Sequence, residues 1–183
     1  ILLLLPLFLV IYILIKMEDM KAPVIFKQQR VGYRGELFYM YKFRSMVVNA
    51  ESLRGELVRQ NEASGPVFKI KTDPRVTKIG KFIRKTSIDE LPQLFNVLKG
   101  EMSMVGPRPA LPDEVAQYTE SEKRRLQCMP GLTLYWQVCG RSSIGFDEWV
   151  ELDVKYIKEQ CLWVDFKLII RTVFVLFGSK DAY

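Results

Sequence analysis

The stretch PRVTKIGKFIRKTSIDELPQLFNVLKG, residues 74–100, joins a basic segment to an acidic helix start. Within residues 74–85, apolar and basic side chains recur at helical spacing, which predicts an amphipathic helix. Solvated faces usually mix charges of both signs. This face is basic only, which favours contact with anionic lipid headgroups or substrate phosphates over simple solvation. The apolar side comprises Val76, Ile79, Phe82 and Ile83, and the basic side comprises Lys78, Lys81, Arg84 and Lys85.

Two adjacent carboxylates, Asp89 and Glu90, follow that helix directly. One hypothesis is structural, because Ser87 and Glu90 have the spacing of a capping box. The other is chemical: a helix N-terminus binds phosphate oxygens, a carboxylate can hold Mg²⁺ together with a pyrophosphate, and a second carboxylate can attack phosphorus. Pro92 removes the hydrogen bond to the Ile88 carbonyl, which the capping hypothesis does not explain. The residues alone leave both hypotheses open.

The composition restricts the chemistry that is available. The 183 residues suffice for one domain and carry a net charge of +6, from 27 basic and 21 acidic side chains. The excess lies in residues 69–85, which indicates a local anionic partner rather than a nucleic-acid-binding surface. Histidine is absent, so Ser-His-Asp catalysis, Cys-His catalysis and histidine-ligated metals are excluded. Cys128, Cys139 and Cys161 are widely spaced, and we expect reduced thiols in a cytosolic setting.

The N-terminal stretch ILLLLPLFLVIYILI, residues 1–15, has no charged side chain. A straight spanning helix needs about 20 apolar residues, so this stretch is too short to cross a bilayer alone. Pro6 predicts a kink near Leu5. The pattern fits either the end of a truncated transmembrane helix, which composition alone favours, or a bent helix that enters one leaflet and returns. Because Ile1 is not a methionine, we expect further sequence upstream.

The C-terminal stretch, residues 162–177, is also apolar but carries Asp165, Lys167 and Arg171. Lys167 and Arg171 share one helical face, and Gly178 offers a C-terminal stop. This pattern fits an amphipathic helix at a membrane interface. A buried C-terminal helix of the core fits it equally well.

Further elements are predicted between these ends. Residues 24–44 predict a β-hairpin, because two aromatic-rich runs flank a turn with two glycines. Periodicity predicts polar helices over residues 49–62 and 113–127 and an amphipathic helix over residues 146–158. The chain therefore alternates a small amount of sheet with short helices.

Two segments carry candidate ligand-binding side chains. In the P-R-P segment around Arg108, the prolines restrict the backbone, which fits either a surface turn or an arginine held for a bidentate phosphate contact. Residues 130–146 contain Trp136, Gln137 and Arg141 in a glycine-rich loop. Together these side chains could stack on and hydrogen-bond a nucleobase, although Trp136 alone is more typical of a core.

Several segments, taken in order, resemble one family. They are YKFRSM (residues 41–46), NAE (49–51), the stretch from PVFKIK to VGPRP (66–109) and PGLTLYWQVCGR (130–141). Their order and spacing resemble the bacterial sugar transferase family, the monotopic phosphoglycosyl transferases that start lipid-linked glycan assembly in exopolysaccharide and capsule biosynthesis. The resemblance covers nearly the whole chain.

This resemblance implies an enzyme that transfers a sugar 1-phosphate from a UDP-sugar to a polyprenol phosphate, usually undecaprenyl phosphate, at the cytosolic face of the bacterial inner membrane. It implies that Asp89 is a nucleophile that forms a phosphosugar-aspartyl intermediate and releases UMP, and that Glu90, with Asp89, holds Mg²⁺. It also implies a re-entrant first helix rather than a truncated one. The candidate phosphate and donor ligands are Arg44, Arg84, Arg108, Gln137 and Arg141.

These expectations describe an α+β fold, a mostly helical membrane-embedded domain with a β-hairpin and interfacial amphipathic helices. A kinked re-entrant helix is expected over residues 1–20 and a cytosolic catalytic domain over residues 21–183, with an interfacial C-terminal helix over residues 162–178. The alternatives are a Mg²⁺-dependent phosphohydrolase acting on a membrane pyrophosphate and a non-catalytic peripheral membrane protein. Membrane lipid is an expected partner and nucleic acid is not, and the oligomeric state, including a homodimer, is left open.

Overall fold

A computed structural model describes residues 1–139 and 144–178. Over these residues the fold combines helices with two small sheets, so the α+β part of the prediction is confirmed. The helices are α1 (Leu5–Glu18), α2 (Arg54–Leu57), α3 (Lys78–Lys85), α4 (Leu94–Leu98), α5 (Pro112–Val115), α6 (Glu120–Lys123), α7 (Tyr135–Cys139), α8 (Phe146–Glu159) and α9 (Leu162–Gly178). The strands are β1 (Ile25–Val31), β2 (Leu37–Phe43), β3 (Ser103–Val105) and β4 (Gly131–Thr133).

The predicted β-hairpin is confirmed. β1 and β2 pair antiparallel from Ile25 opposite Phe43 to Val31 opposite Leu37. The turn between them contains Gly35 at φ +88°, a backbone conformation that residues with a Cβ rarely adopt. Because the register is continuous, side chains alternate between the two sides of the hairpin, and one side faces the segments that follow in the chain.

A short parallel strand pair, β3 and β4, joins two parts of the chain that no sequence pattern connected. Ser103 lies opposite Gly131, and Val105 lies opposite Thr133. A Cβ on Gly131 would overlap the backbone nitrogen of Gly106, so this close approach requires glycine. The pair brings the P-R-P segment, which follows β3, next to the segment that follows β4.

α1 packs its inner side against the hairpin and α3. Ile11 and Ile15 are buried in one cluster with Phe43, and the Phe8 ring meets the Phe43 ring at a centroid distance of 5.2 Å. The kink expected near Leu5 and Pro6 stays a prediction. A 3-10 turn over Leu2–Leu4 leads into α1 at Leu5, and Pro6 stands in the first turn of α1. The proline therefore marks the start of α1.

The outer side of α1 is strongly apolar and exposed. Within the described ranges, no helix combines the length and the apolarity that crossing a bilayer requires. We call the exposed side chains of this segment the α1 apolar face. They are Leu2, Leu3, Leu5, Leu9, Val10, Tyr12, Ile13 and Met17.

α3 is shorter than the helix predicted over residues 74–85. The Thr77 hydroxyl caps its start by accepting from Gly80 N at 2.9 Å. Val76, predicted on its apolar side, lies before the helix and forms a β-bridge to Met46. The capping threonine, rather than the apolar periodicity, therefore sets where this helix begins.

The end of α1 also caps α3. The Glu18 carboxylate accepts from Lys78 N at 2.7 Å and from Ile79 N at 3.2 Å. The apolar side of α3 is divided, because Ile83 is fully buried whereas Phe82 is 52% exposed. A carboxylate cap and apolar packing together join the two helices.

The polar helices predicted over residues 49–62 and 113–127 are wrong as continuous elements. In the first, only α2 and one 3-10 turn are helical, and the Asn61 side chain ends the segment by accepting from backbone N–H groups. In the second, Thr119 forms a capping box with Glu122 and starts a new helix, so the segment divides into α5, α6 and a 3-10 turn. Polar side chains that bind the backbone compete with helix continuation.

α8 confirms the amphipathic helix predicted over residues 146–158 and buries Phe146, Trp149 and Val150. α9 has both properties that the sequence left open. Leu168 is buried in the core, whereas the outer side of the helix exposes large apolar side chains. We call this outer side the α9 apolar face, which comprises Leu162, Trp163, Phe166, Ile170, Val173 and Phe174.

Candidate active site

The two adjacent carboxylates lie in a 3-10 turn, Ile88–Gln93, directly after α3. Ser87 precedes this turn in the left-handed conformation (φ 54°), and its side chain makes no capping hydrogen bond. The Glu90 carboxylate instead accepts from Lys42 Nζ on β2 at 2.6 Å. The capping-box hypothesis is therefore wrong, because a capping residue needs an extended backbone that Ser87 does not have.

Asn96, on α4 directly after this turn, is hydrogen-bonded to the hairpin. Its fully buried side chain accepts from Tyr41 N at 3.1 Å and donates to Tyr39 O at 2.7 Å. The same amide donates to the Glu101 carboxylate at 2.6 Å. The Asn96 side chain thus makes the two backbone hydrogen bonds to β2 that a neighbouring strand would make. These bonds hold the segment that carries the two carboxylates beside Lys42.

Asp89 is the buried member of the dyad. It is 7% exposed, and no Lys or Arg nitrogen of the described residues lies at ion-pair distance from it. Burial is the largest cause that raises the pKa of Asp89, the positive charges of Lys42 and Arg84 oppose the rise, and the nearby Glu90 adds to it, with a net pKa of about 6. A carboxylate with this combination of burial and mixed charges is typical of a functional site.

Arg84, in the last turn of α3, is the predicted phosphate ligand that lies beside the dyad. Its positive charge acts on both Asp89 and Asp73. Gly80 makes this placement possible, because a Cβ there would overlap the carbonyl oxygen of Ser45. The close backbone contact therefore brings the basic end of α3 to the two carboxylates.

Arg108 occupies a packed position in the P-R-P segment. Its Nη1 lies 3.7 Å from Glu114 Oε2, and its guanidinium lies 5.7 Å from the centroid of the Trp149 ring. Glu114 is buried and also accepts from Leu111 N at 2.8 Å. These contacts favour the rigidly held arginine over the simple surface turn.

Sequence reasoning missed Arg30, a buried arginine on β1. Its Nη1 donates to Pro109 O at 3.1 Å, so it contacts the P-R-P segment directly. The signal was present in the strand alternation, because Phe26 and Gln28 share its inward side. An arginine at an inward position of a strand is unusual enough to mark a candidate.

The remaining candidates lie elsewhere or outside the described residues. Arg44 is not among the side chains whose charges affect the pKa of Asp89 most. Its Nε donates to Pro23 O at 2.7 Å, and its guanidinium stacks on the Phe26 ring. Gln137 donates to Leu132 O at 2.8 Å. Arg141 lies outside the described residues. The loop expected around Trp136 and Gln137 is wrong for residues 135–139, which form α7, and nucleobase binding stays a prediction.

The dyad is the candidate metal site. Within residues 1–139 and 144–178, no group of three or more Cys, Asp or Glu side chains offers a metal a complete protein cage. Two adjacent carboxylates nevertheless fit Mg²⁺, which commonly binds one or two carboxylates and takes its other ligands from substrate phosphates and water. Glu90 is the more exposed of the two and is the natural first ligand.

The fold and the site together define a class of protein. It is an α+β protein in which a buried and a more exposed carboxylate share one turn beside basic side chains, in a chain whose first and last helices expose apolar faces. A family model described as bacterial sugar transferase matches residues 1–179. The chain therefore belongs to the bacterial sugar transferase family.

Individual relatives agree with this assignment. Galactosyl transferase CpsE of Streptococcus agalactiae is 53% identical over 88% of this chain and 36% of its own length. Undecaprenyl-phosphate galactose phosphotransferase of Salmonella typhimurium is 45% identical over 96% of this chain and 38% of its own length. Exopolysaccharide production protein ExoY of Rhizobium meliloti is 37% identical over 97% of this chain and 80% of its own length. The chain thus spans less than two fifths of the first two relatives.

Proposed function

We propose that this chain transfers a sugar 1-phosphate from a UDP-sugar to a polyprenol phosphate, undecaprenyl phosphate in bacteria, and releases UMP. The observation that carries the proposal is the buried Asp89 beside the more exposed Glu90 in a single turn. The name of the Salmonella relative supports an undecaprenyl-phosphate acceptor and a phosphotransfer reaction. The transferred sugar stays open.

In this proposal Asp89 is the nucleophile. One oxygen of its carboxylate bonds to the sugar-bearing phosphorus, the bond from that phosphorus to the bridging oxygen breaks, and the electron pair leaves with UMP. An oxygen of the acceptor phosphate then attacks the same phosphorus and releases the carboxylate. Arg84 stabilises negative charge on the transferred phosphate, because its guanidinium lies near Asp89.

Glu90, together with Asp89, would hold Mg²⁺ in this reaction. When bound, the ion offsets the negative charge of the donor diphosphate. One partner of Glu90 is Lys42, and both side chains of this pair are partly exposed, at 39% and 25%. Exposed ion pairs are weak, typically below about 1 kcal/mol, so Glu90 can exchange this partner for a cation.

A lipid acceptor requires a membrane-facing surface, and two apolar faces support one. The α1 apolar face and the α9 apolar face both expose large side chains, among them Trp163, which suits the boundary between lipid and water. We propose that residues 1–20 enter the bilayer as a re-entrant helix and that the catalytic site lies on the cytosolic side of the bacterial inner membrane. Polyprenol phosphate would then reach the dyad from the lipid.

The central experiment uses the full-length protein in nanodiscs. It is incubated with Mg²⁺ and each of a panel of UDP-sugars, without an acceptor, and the readouts are UMP release and intact mass. We expect one UDP-sugar to add the mass of a sugar phosphate to Asp89 with stoichiometric release of UMP. Asp89→Asn keeps the shape of the side chain and removes the charged nucleophile, so both signals disappear.

Each alternative gives a different result in this assay. A phosphohydrolase turns over continuously without an acceptor, and a non-catalytic membrane protein releases no UMP from any UDP-sugar. Product formation by Asp89→Asn at near the wild-type rate would contradict the covalent mechanism. Undecaprenyl phosphate, added last, discharges the labelled protein only if the lipid is the acceptor.

The topology has its own test. In a variant whose cysteines are replaced by serine, Ile1→Cys and Lys21→Cys are exposed to a membrane-impermeant maleimide in intact cells and in inside-out vesicles. A re-entrant helix predicts that both positions react only in the inside-out vesicles. Labelling of Ile1→Cys in intact cells would mean that the segment spans the membrane, and the assignment of the dyad would be unaffected.

A further inference from the structure

The proposed chemistry leaves the buried arginine on β1 unexplained. Arg30 is 5% exposed, and it donates to Pro109 O at 3.1 Å and to Gln28 Oε1 at 2.6 Å. Both acceptors are neutral, its Nε has no hydrogen-bond partner, and no carboxylate of the described residues lies at ion-pair distance. Burying a cation without an opposite charge is unfavourable, and a neutral donor could hold the same carbonyl. The positive charge itself therefore needs an explanation.

The charges around Arg30 leave a positive excess. Burial and repulsion from Arg108 lower the pKa of Arg30 to about 9, so the guanidinium stays charged at neutral pH. Glu114 attracts Arg30 but also faces Arg108 and accepts from Leu111 N. Glu90 acts on Arg30 as well. Two guanidinium groups thus share one buried carboxylate, within electrostatic reach of the dyad.

We propose that Arg30 and Arg108 form a two-arginine site for one phosphate group, which rests on the proposed function and extends it. Arg108 is the contacting member, and Arg30 is a positioning residue. Arg30 holds the Pro109 carbonyl while Val31 N donates to Ala110 O at 2.9 Å, so β1 fastens the chain immediately after Arg108. The buried charge also strengthens the attraction for an anion, because the local dielectric constant is low.

Two substrates present the phosphate chemistry that this site recognises, the nucleotide donor and the lipid acceptor. Kinetics can separate them. In a two-step reaction with a covalent intermediate, kcat/KM for each substrate reports only its own half-reaction. The test therefore measures kcat/KM separately for the UDP-sugar and for undecaprenyl phosphate, together with UMP binding by calorimetry, all on the full-length protein in nanodiscs.

Three variants make the test specific for charge. Arg30→Gln keeps a hydrogen-bond donor without the charge, Arg30→Lys keeps the charge, and Lys27→Gln removes a charge from an exposed position on the same strand. We expect Arg30→Gln to weaken UMP binding and to lower kcat/KM for the donor about tenfold or more, a loss typical of a charge-assisted contact. Arg30→Lys recovers most of this loss, and Lys27→Gln behaves as wild type. A loss confined to the acceptor supports the same site and assigns it to the lipid phosphate.

The melting temperature separates positioning from a merely structural role. Because Arg30→Gln removes an unpaired buried charge, we expect its melting temperature to be unchanged or raised. Equal losses for both substrates together with a lowered melting temperature would overturn the proposal, and so would unchanged UMP binding and kinetics. If the wild-type protein releases no UMP but binds it, and Arg30→Gln weakens that binding, the proposed function fails while the phosphate site stands.

Discussion

Two buried aspartates, Asp89 and Asp153, differ in their partners, although burial raises the pKa of each to about 6. Asp153 is fully buried, and its Oδ2 lies 2.5 Å from Nη2 of the equally buried Arg125. Arg125 in turn donates to the Tyr118 hydroxyl at 3.0 Å and stacks on the Trp149 ring. Asp89 has no such ion pair among the described residues, and its neighbour Glu90 is paired with Lys42, whose side chain is partly exposed.

The difference shows how a structural carboxylate can be told from a functional one. Asp153 is held by a partner that cannot leave without burying an unpaired charge, so its role is to join α8 to the turn that contains Arg125. Asp89 is desolvated without full compensation. The ionised form of such a carboxylate is stabilised when a ligand brings a positive charge close to it. A nucleophile that faces a diphosphate with a bound cation is in this position.

The largest expected effect on stability comes from the structural aspartate. Asp153→Asn leaves the Arg125 charge buried without a counter-ion, and we expect the free energy of unfolding to fall by about 3–5 kcal/mol. Urea denaturation followed by circular dichroism measures it. Asp89→Asn is the matched control, because the same substitution at a site without an ion pair leaves stability unchanged or raised while activity is lost. Equal destabilisation by both substitutions would contradict the comparison.

Glu90→Gln tests the exposed half of the dyad. The substitution removes the negative charge of Glu90. Because Glu90 is proposed to bind Mg²⁺, we expect turnover to fall by about a hundredfold or more and the optimal Mg²⁺ concentration to rise. The Lys42–Glu90 pair adds little to the change in stability, below about 1 kcal/mol, because both of its side chains are partly exposed. UMP release over a Mg²⁺ titration measures the first effect. Unchanged activity with unchanged Mg²⁺ dependence would remove Glu90 from the site.

Lys42→Met tests the electrostatic balance at Asp89 through pH. The nucleophile must be ionised, and the folded-state pKa of Asp89 is about 6, so kcat/KM for the donor rises with pH through about 6. Lys42 lowers this pKa, so Lys42→Met moves the rise to higher pH. Lys99→Met is the control, because it removes an exposed lysine that bonds the Tyr41 hydroxyl on the same strand. An unmoved acidic limb would show that Lys42 does not act on Asp89.

The same pKa has a consequence for stability. Burial raises the pKa of Asp89 above its ordinary value of 3.8, so the folded state binds the proton more tightly than the unfolded state. The free energy of unfolding therefore contains a contribution that is present at low pH and is lost as pH rises from about 4 to about 6. Asp89→Asn lacks this contribution, which denaturation at several pH values can detect.

The smallest expected effect concerns Glu18, an exposed carboxylate with a structural role. Glu18→Gln keeps the shape of the cap on α3 and weakens its interaction with the helix N-terminus, and we expect a loss of about 1 kcal/mol. Glu36→Gln, at an exposed position of the hairpin turn, is the control. The free energy of unfolding from urea titrations measures both, and equal values for the two variants would show that the carboxylate cap does not stabilise the junction of α1 and α3.

Much of the site could be predicted because its signals are local. Asp89, Glu90 and Arg84 belong to one continuous stretch, and Arg108 stands out between two prolines. Lys42 and Arg30 were missed, since each comes from a strand distant in sequence and reaches the site only when the hairpin forms. The Asp153 side chain was missed for a related reason, because its partner lies on a different element.

The sequence by itself determined the elements whose signals lie within a few residues: the hairpin, from its glycine turn and aromatic strands, and α8, from its apolar period. Only the tertiary structure decided where α3 begins, that Glu90 pairs with Lys42 instead of capping a helix, and that Arg30 lies beneath the P-R-P segment. Local backbone preferences are encoded by neighbouring residues, whereas ion pairing and burial depend on which distant segments share a space. A carboxylate therefore acquires its role from partners that its own stretch of sequence does not contain.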